Sequence, residues 1–176
     1  MDALSRTELL ALLGAARARR ERDWLMIATA FWHGLRASEV VSLTRDNLES
    51  DHLTIQRLKG SLKTRQLVAE HSDPLLNLRR PLFDYAQKLA ANQKLFPISR
   101  QHFWRLMQKY GKEAGIARAK LHPHVLKHSI AMQTIKLAGI ENVRQHLGHK
   151  SISSTGAYLK VTDEDASHAI QKALIV

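Results

Sequence analysis

Along most of the 176 residues apolar side chains recur three or four positions apart, the spacing of one helix face, but between Asp51 and Ala69 the period changes to two. In DHLTIQRLKGSLKTRQLVA, Leu53 and Ile55 alternate with polar residues, Gly60 and Ser61 interrupt, and Leu67 and Ala69 resume the alternation. Such a period belongs to a half-buried β-hairpin. One hairpin in an otherwise helical chain restricts the architecture to an α+β domain, mostly α, with a small antiparallel sheet. A chain of this length buries about 70% of the surface its unfolded form exposes. No repeat, low-complexity segment or linker divides it, so the expected organisation is one domain over residues 1–176.

Local signals place the helices. Ser5 followed by Glu8 is a capping box, in which each side chain satisfies the other's backbone N–H, and Leu9, Leu12, Leu13 and Ala16 follow at helical spacing. A run from Trp24 to Trp32 stops at Gly34, which lacks the Cβ that opposes a left-handed residue. A short helix is expected from Ala37 to Leu43. Asp73 and Pro74 read as an N-cap and first helical position, with Pro81 breaking or restarting the helix that follows. Ser99 caps a run through Phe103, Leu106, Met107 and Tyr110 that ends at Gly111 or Gly115, and another helix extends from Pro123 to Ala138 before Gly139. Thr162 to Asp165 place a hydroxyl and three carboxylates where the dipole of a last helix, running to Val176, favours negative charge.

Lysine and arginine outnumber aspartate and glutamate by 27 to 16, a formal charge of +11, and the basic residues are spread through folded segments rather than gathered in a tail. This balance points to a polyanion, with nucleic acid the leading candidate. The absence of cysteine excludes a disulfide framework and a thiolate zinc site. No secretory signal pattern and no membrane-length apolar run is present, so the chain reads as cytoplasmic with no membrane partner.

Three clusters carry chemistry-bearing side chains beside helix termini. GLRASE places Arg36 just after the Gly34 stop, with Glu39 one turn on; HPHVLKHS places His124 and Lys127 on one helix face; LGHKSISSTGAY places His149 after Gly148 and Tyr158 nine residues later. Singly, each has an ordinary reading as a surface ion pair, a structural histidine or a packing tyrosine. His122, His124 and His128 have no nearby carboxylate or thiolate to complete a metal site.

Taken in order, GLRASE, RLKGSLKTR, HPHVLKH, LGHKSISST and AYLKV resemble the tyrosine recombinase, or phage integrase, family over nearly the whole chain. FWHGLRASE, RLKG and ISRQHFW are also similar to the small invertases that flip fimbrial phase-variation switches. The resemblance implies a site-specific DNA recombinase, bacterial, phage or mobile-element encoded, that cleaves and rejoins strands without metal or cofactor and works as a tetramer on paired sites in double-stranded DNA. Tyr158 would be the nucleophile forming a 3′-phosphotyrosyl link, Arg36 a phosphate-binding fork, Lys59 the acid for the leaving oxygen with Lys63 as runner-up, His124 the proton partner of the tyrosine, and His149 a phosphate neighbour. Glu39 would orient Arg36, and Lys63 and Arg65 would contact backbone phosphates. His122 and His128 are expected to be structural or supporting groups.

The sequence departs from the family at Lys127, where the second arginine belongs. Lysine keeps the charge but loses the bidentate fork. A natural variant, an introduced mutation and a DNA-binding regulator with little cleavage all remain open, as does a relaxing topoisomerase of the same chemistry. The family's longer members carry a separate N-terminal core-binding domain; here the first catalytic-domain helix begins at Ser5, which fits a small recombinase or an excised fragment.

Overall fold

The computed structural model describes residues 2–58, 62–156, 158, 166–167 and 170–171. Its first helix, α1 (Arg6–Arg19), starts as expected: the Ser5 hydroxyl accepts from the Glu8 N–H at 3.1 Å and Glu8 Oε2 from the Ser5 N–H at 2.7 Å. Leu9, Leu12, Leu13 and Ala16 pack against α2 (Glu21–Trp32), which is buried at every position from Asp23 to Phe31. A helix apolar on all sides belongs at the centre of a fold, and α2 is packed by α1, α3 (Ala37–Val40) and α6 (His124–Ala138). Its one buried carboxylate, Asp23, is satisfied by Arg22 and by the Tyr110 hydroxyl at 2.7 Å. The Nε1 groups of Trp24 and Trp32 donate to the carbonyls of Leu75 and Leu76, which ties the 73–78 turn to α2.

The hairpin is present as β2 (His52–Ile55) and β3 (Thr64–Leu67), with an additional short strand, β1 (Leu48–Glu49), that the sequence does not announce. The sheet is antiparallel in the order β1-β2-β3, pairing Leu48 with Leu53, His52 with Leu67 and Ile55 with Thr64. The phase of β3 differs from the apolar pattern: Thr64 and Gln66 face inward, whereas Leu67 is 64% exposed. Hydrogen bonding decides this register, because Gln66 Oε1 meets His33 Nδ1 at 2.8 Å and its Nε2 donates to the His146 carbonyl at 2.6 Å.

A second correction concerns residues 73–87. Asp73 caps a turn, accepting from the Leu75 N–H, and the helix α4 begins later, at Arg79, and runs to Gln87. Pro81 is its third residue, where an N–H would have no partner within the helix, so the proline neither breaks nor restarts it. Helix α3 is also shorter than expected, ending at Val40.

Ser99 caps α5 (Arg100–Glu113) by accepting from the His102 N–H, and Gly115, at φ +70°, lies at its end while Gly111 stays inside. Helix α6 stops at Gly139, and α7 (Ile140–Leu147), which sequence reading left unassigned, ends at the left-handed Gly148. A short turn of helix, α8 (Ser153–Gly156), leads to Tyr158. Ala166, Ser167, Ile170 and Gln171 are helical, and the rest of the expected last helix lies outside the described residues. None of the described helices is long and apolar enough to cross a membrane.

Candidate active site

The C-terminal end of α2 organises the site. Gly34, at φ +57°, turns the chain under Leu147, and the next turn begins with Arg36 as the N-cap of α3. The last carbonyls of α2 would be orphaned there. Side chains from distant segments satisfy them: His146 Nε2 donates to the Trp32 carbonyl at 2.7 Å, Arg57 Nη2 to the His33 carbonyl at 2.8 Å, and Arg57 Nη1 to the Gly34 carbonyl at 3.0 Å. The negative end of the helix dipole favours a guanidinium at this place. Arg57 also donates to the His146 carbonyl, to Thr64 Oγ1 and to Glu39 Oε2, and its side chain is fully buried.

Arg57 was missed in the sequence. The signal lay in the alternation, since Leu53, Ile55 and Arg57 share one parity and the first two face the core.

Glu39 is the counter-charge. Its Oε1 accepts from Arg36 Nη1 at 3.0 Å and the Leu58 N–H at 3.1 Å, and its Oε2 from the Arg36 N–H at 2.8 Å and Arg57 at 3.3 Å. Burial works to raise its pKa, but the two backbone donors and the charges of Arg57 and Lys127 outweigh it and hold the carboxyl below its ordinary value. Arg36 is thereby braced against Glu39 and the Leu58 carbonyl, with about a quarter of its side chain exposed.

Helix α6 supplies the other wall. His124, Lys127 and His128 fall on one face, as positions three and four apart do. Lys127 is buried, its Nζ donating to the Leu147 carbonyl at 3.2 Å. Burial, then the positive charges of Arg57 and Arg36, bring its pKa down from 10.5 to about 7, with Glu39 opposing. His124 packs edge-on against His128, centroids 4.3 Å apart, and burial followed by Lys127 and Arg36 lowers its pKa.

The hydrogen bond to the Tyr158 hydroxyl comes from His128, whose Nδ1 lies 2.9 Å from Oη, and not from His124. Tyr158 is 8% exposed, and burial raises its pKa although Arg36 pulls the other way. His149, after Gly148, contacts Thr155 Oγ1 through Nδ1 at 3.0 Å; burial and then Lys127, Arg36 and Arg57 bring it to about 4. The loop after β2 joins this group through a bond from the Leu62 N–H to the Gly148 carbonyl. Lys59 lies outside the described residues, while Lys63 and Arg65 are exposed on the hairpin. His122 lines a groove with Arg100, Gln101, Trp104 and His124.

The structure therefore gathers Arg36, Glu39, His124, Lys127, His149 and Tyr158, separated by up to 122 residues in sequence, and adds Arg57 and His128. Among the described residues Arg36, Arg57 and Lys127 share one buried carboxylate, Glu39, and burial together with this positive charge lowers the pKa values of His124 and His149. Such a pocket is built for an anion.

Residues 2–165 match the model of the phage integrase family, and the chain belongs to that family. It is 29% identical to the tyrosine recombinase XerA of Thermococcus kodakarensis over 99% of this chain and 63% of the relative, and 31% identical to that of Pyrococcus furiosus over 97% and 61%. The chain thus spans about three fifths of the length of these curated relatives. Its fold matches the crystal structure of the XerH site-specific recombinase bound to difH substrate in a pre-cleavage complex, with a TM-score of 0.77, 20% identity, and coverage of 96% of this chain and 53% of the other.

Proposed function

We propose that this chain is the catalytic unit of a site-specific DNA recombinase that breaks and rejoins strands through a 3′-phosphotyrosyl intermediate. The observation that carries this reading is the buried Tyr158 hydroxyl within the field of Arg36, in a pocket where, among the described residues, cations outnumber carboxylates. Charge that develops on a phosphodiester during attack is stabilised by donors already held in place, and the Glu39 and Leu58 contacts hold Arg36 before DNA arrives.

In this reading Tyr158 attacks phosphorus, Arg36 and Lys127 bind the nonbridging oxygens, and Lys59 protonates the departing 5′ oxygen. His124 and His149 flank the phosphate, and Lys63 and Arg65 contact the DNA backbone. Retaining the bond energy in the tyrosyl ester lets a second DNA end displace the enzyme without an external energy source. Pairing of two DNA sites by a tetramer supplies that second end.

The test is a nicked suicide duplex drawn from the repeats flanking the gene, in which the short downstream piece diffuses away after cleavage. A denaturation-resistant protein–DNA adduct that Tyr158→Phe abolishes is the expected result. DNA binding without any adduct, in the wild type and in Lys127→Arg alike, would replace this reading with a DNA-binding regulator.

A further inference from the structure

We propose that His128 is a catalytic residue of this site, the imidazole that receives the Tyr158 proton as the hydroxyl attacks the phosphodiester. The inference rests on the recombinase reading above and concerns one proton within it. Its basis is contact: His128 Nδ1 lies 2.9 Å from Tyr158 Oη, and among the described residues no other side chain hydrogen-bonds that oxygen. A base must lie within hydrogen-bond reach of the proton it takes, and among the described residues His128 is the side chain that does.

The imidazole is held for this purpose. It stands on the second turn of α6, its ring fixed edge-on by His124 one turn earlier at an interplanar angle of 84°, and its centroid is 5.5 Å from that of Tyr158. Burial, followed by His124, His122 and Lys127, lowers its pKa to about 4, so at neutral pH the ring is uncharged. With Nε2 carrying the proton, Nδ1 offers a lone pair to the phenol, whose own pKa burial raises. The resting pair therefore keeps the nucleophile protonated and unreactive.

A scissile phosphodiester changes this balance, because its negative charge offsets the cations and burial that disfavour an imidazolium. In the step itself the Oη–H bond breaks and the proton passes to His128 Nδ1. The freed electron pair forms the phosphorus–oxygen bond, the bond to the 5′ oxygen breaks, and that oxygen takes its proton from Lys59. Rejoining reverses each transfer, and His128 returns its proton to Tyr158.

The experiment compares the full chain with His128→Asn, His128→Ala, His124→Ala and Lys59→Ala on two suicide duplexes, one natural at the scissile position and one carrying a 5′-bridging phosphorothiolate. The sulfur leaving group departs without a proton, so it relieves a missing acid but not a missing base. Adduct formation by both His128 variants should fall about 10²-fold or more on both duplexes with DNA binding unchanged. Added imidazole should restore part of the His128→Ala rate, and Lys59→Ala should recover on the sulfur duplex alone. An adduct rate in His128→Asn close to wild type, recovery of the His128 variants on the sulfur duplex, or the base-deficient pattern in His124→Ala in place of His128 would each overturn the assignment. Absence of adduct from the wild type on both duplexes would instead overturn the recombinase reading and this inference with it.

Discussion

Replacing Lys127 with methionine should stabilise the protein, and do so more strongly at low pH. The ammonium is 1% exposed, has one hydrogen bond, to the Leu147 carbonyl, and sits with Arg36 and Arg57 around the same carboxylate. Its pKa falls from 10.5 in the unfolded chain to about 7. At about 1.4 kcal/mol per pH unit this sets a ceiling of about 5 kcal/mol on the cost of burying the charge. The methionine variant loses the bond to Leu147, about 1 kcal/mol, and part of the counter-charge to Glu39, so the net gain should be about 1–3 kcal/mol. The sign with pH follows from proton counts. Below the folded value of about 7 both states carry the proton and the full cost is present; between there and 10.5 the unfolded chain holds more protons, so wild-type stability rises with pH. Urea unfolding of the two proteins at about pH 6, 8 and 10 measures the difference directly, and it should shrink as pH increases. A difference independent of pH, or a methionine variant less stable throughout, would refute the account of Lys127 as a strained buried cation.

The same titration should mark catalysis: adduct formation should decline on the alkaline side as Lys127 loses its proton, and Lys127→Arg should move that limb to higher pH in a pH–rate profile. Arg57→Met leaves the carbonyls of His33 and Gly34 without their donor, His146 with Gln66 alone and Glu39 with one cation fewer, so chemical unfolding should report a loss of about 3–5 kcal/mol. Gly34→Ala places a Cβ 2.5 Å from Leu147 Cδ2 at a φ of +57°, and the combined overlap and left-handed strain should cost about 2–4 kcal/mol in the same assay. DNA binding should weaken linearly on a log–log salt plot, and Lys63→Ala should reduce the slope by about 0.9 if that lysine neutralises one phosphate.

What could be read in the sequence was what local chemistry decides. Ser5 with Glu8, Ser99, Gly34 and Gly139 each act within one turn of the chain, and each does in the structure what its residue type requires. The misreadings share a different cause. Leu67 faces solvent because Gln66 has partners just after α2 and on α7, contacts 33 and 80 residues away. Pro81 is harmless because the helix starts two residues before it, a boundary set by the bonds of Leu78 and Arg79 to Ala69. Among the proposed site residues, Arg36, His124 and Tyr158 stand in ordered clusters, whereas Arg57 looks like one basic residue among several and His128 reads as a structural or supporting group. The contacts that single them out, to the end of α2 and to Tyr158, are distances that only folding creates.

The arrangement of three cations around Glu39 also means that, among the described residues, this cluster carries more positive than negative charge. An anion bound at this cluster would offset that repulsion and so add to folding stability by linkage. A substitution that lowers the repulsion within the cluster, as Lys127→Met should, leaves less of it for a bound anion to offset. If the proposed function holds, stabilising the fold by removing charge from this cluster should weaken DNA binding, whereas a stabilising change outside it, as at the exposed Leu67, avoids that cost.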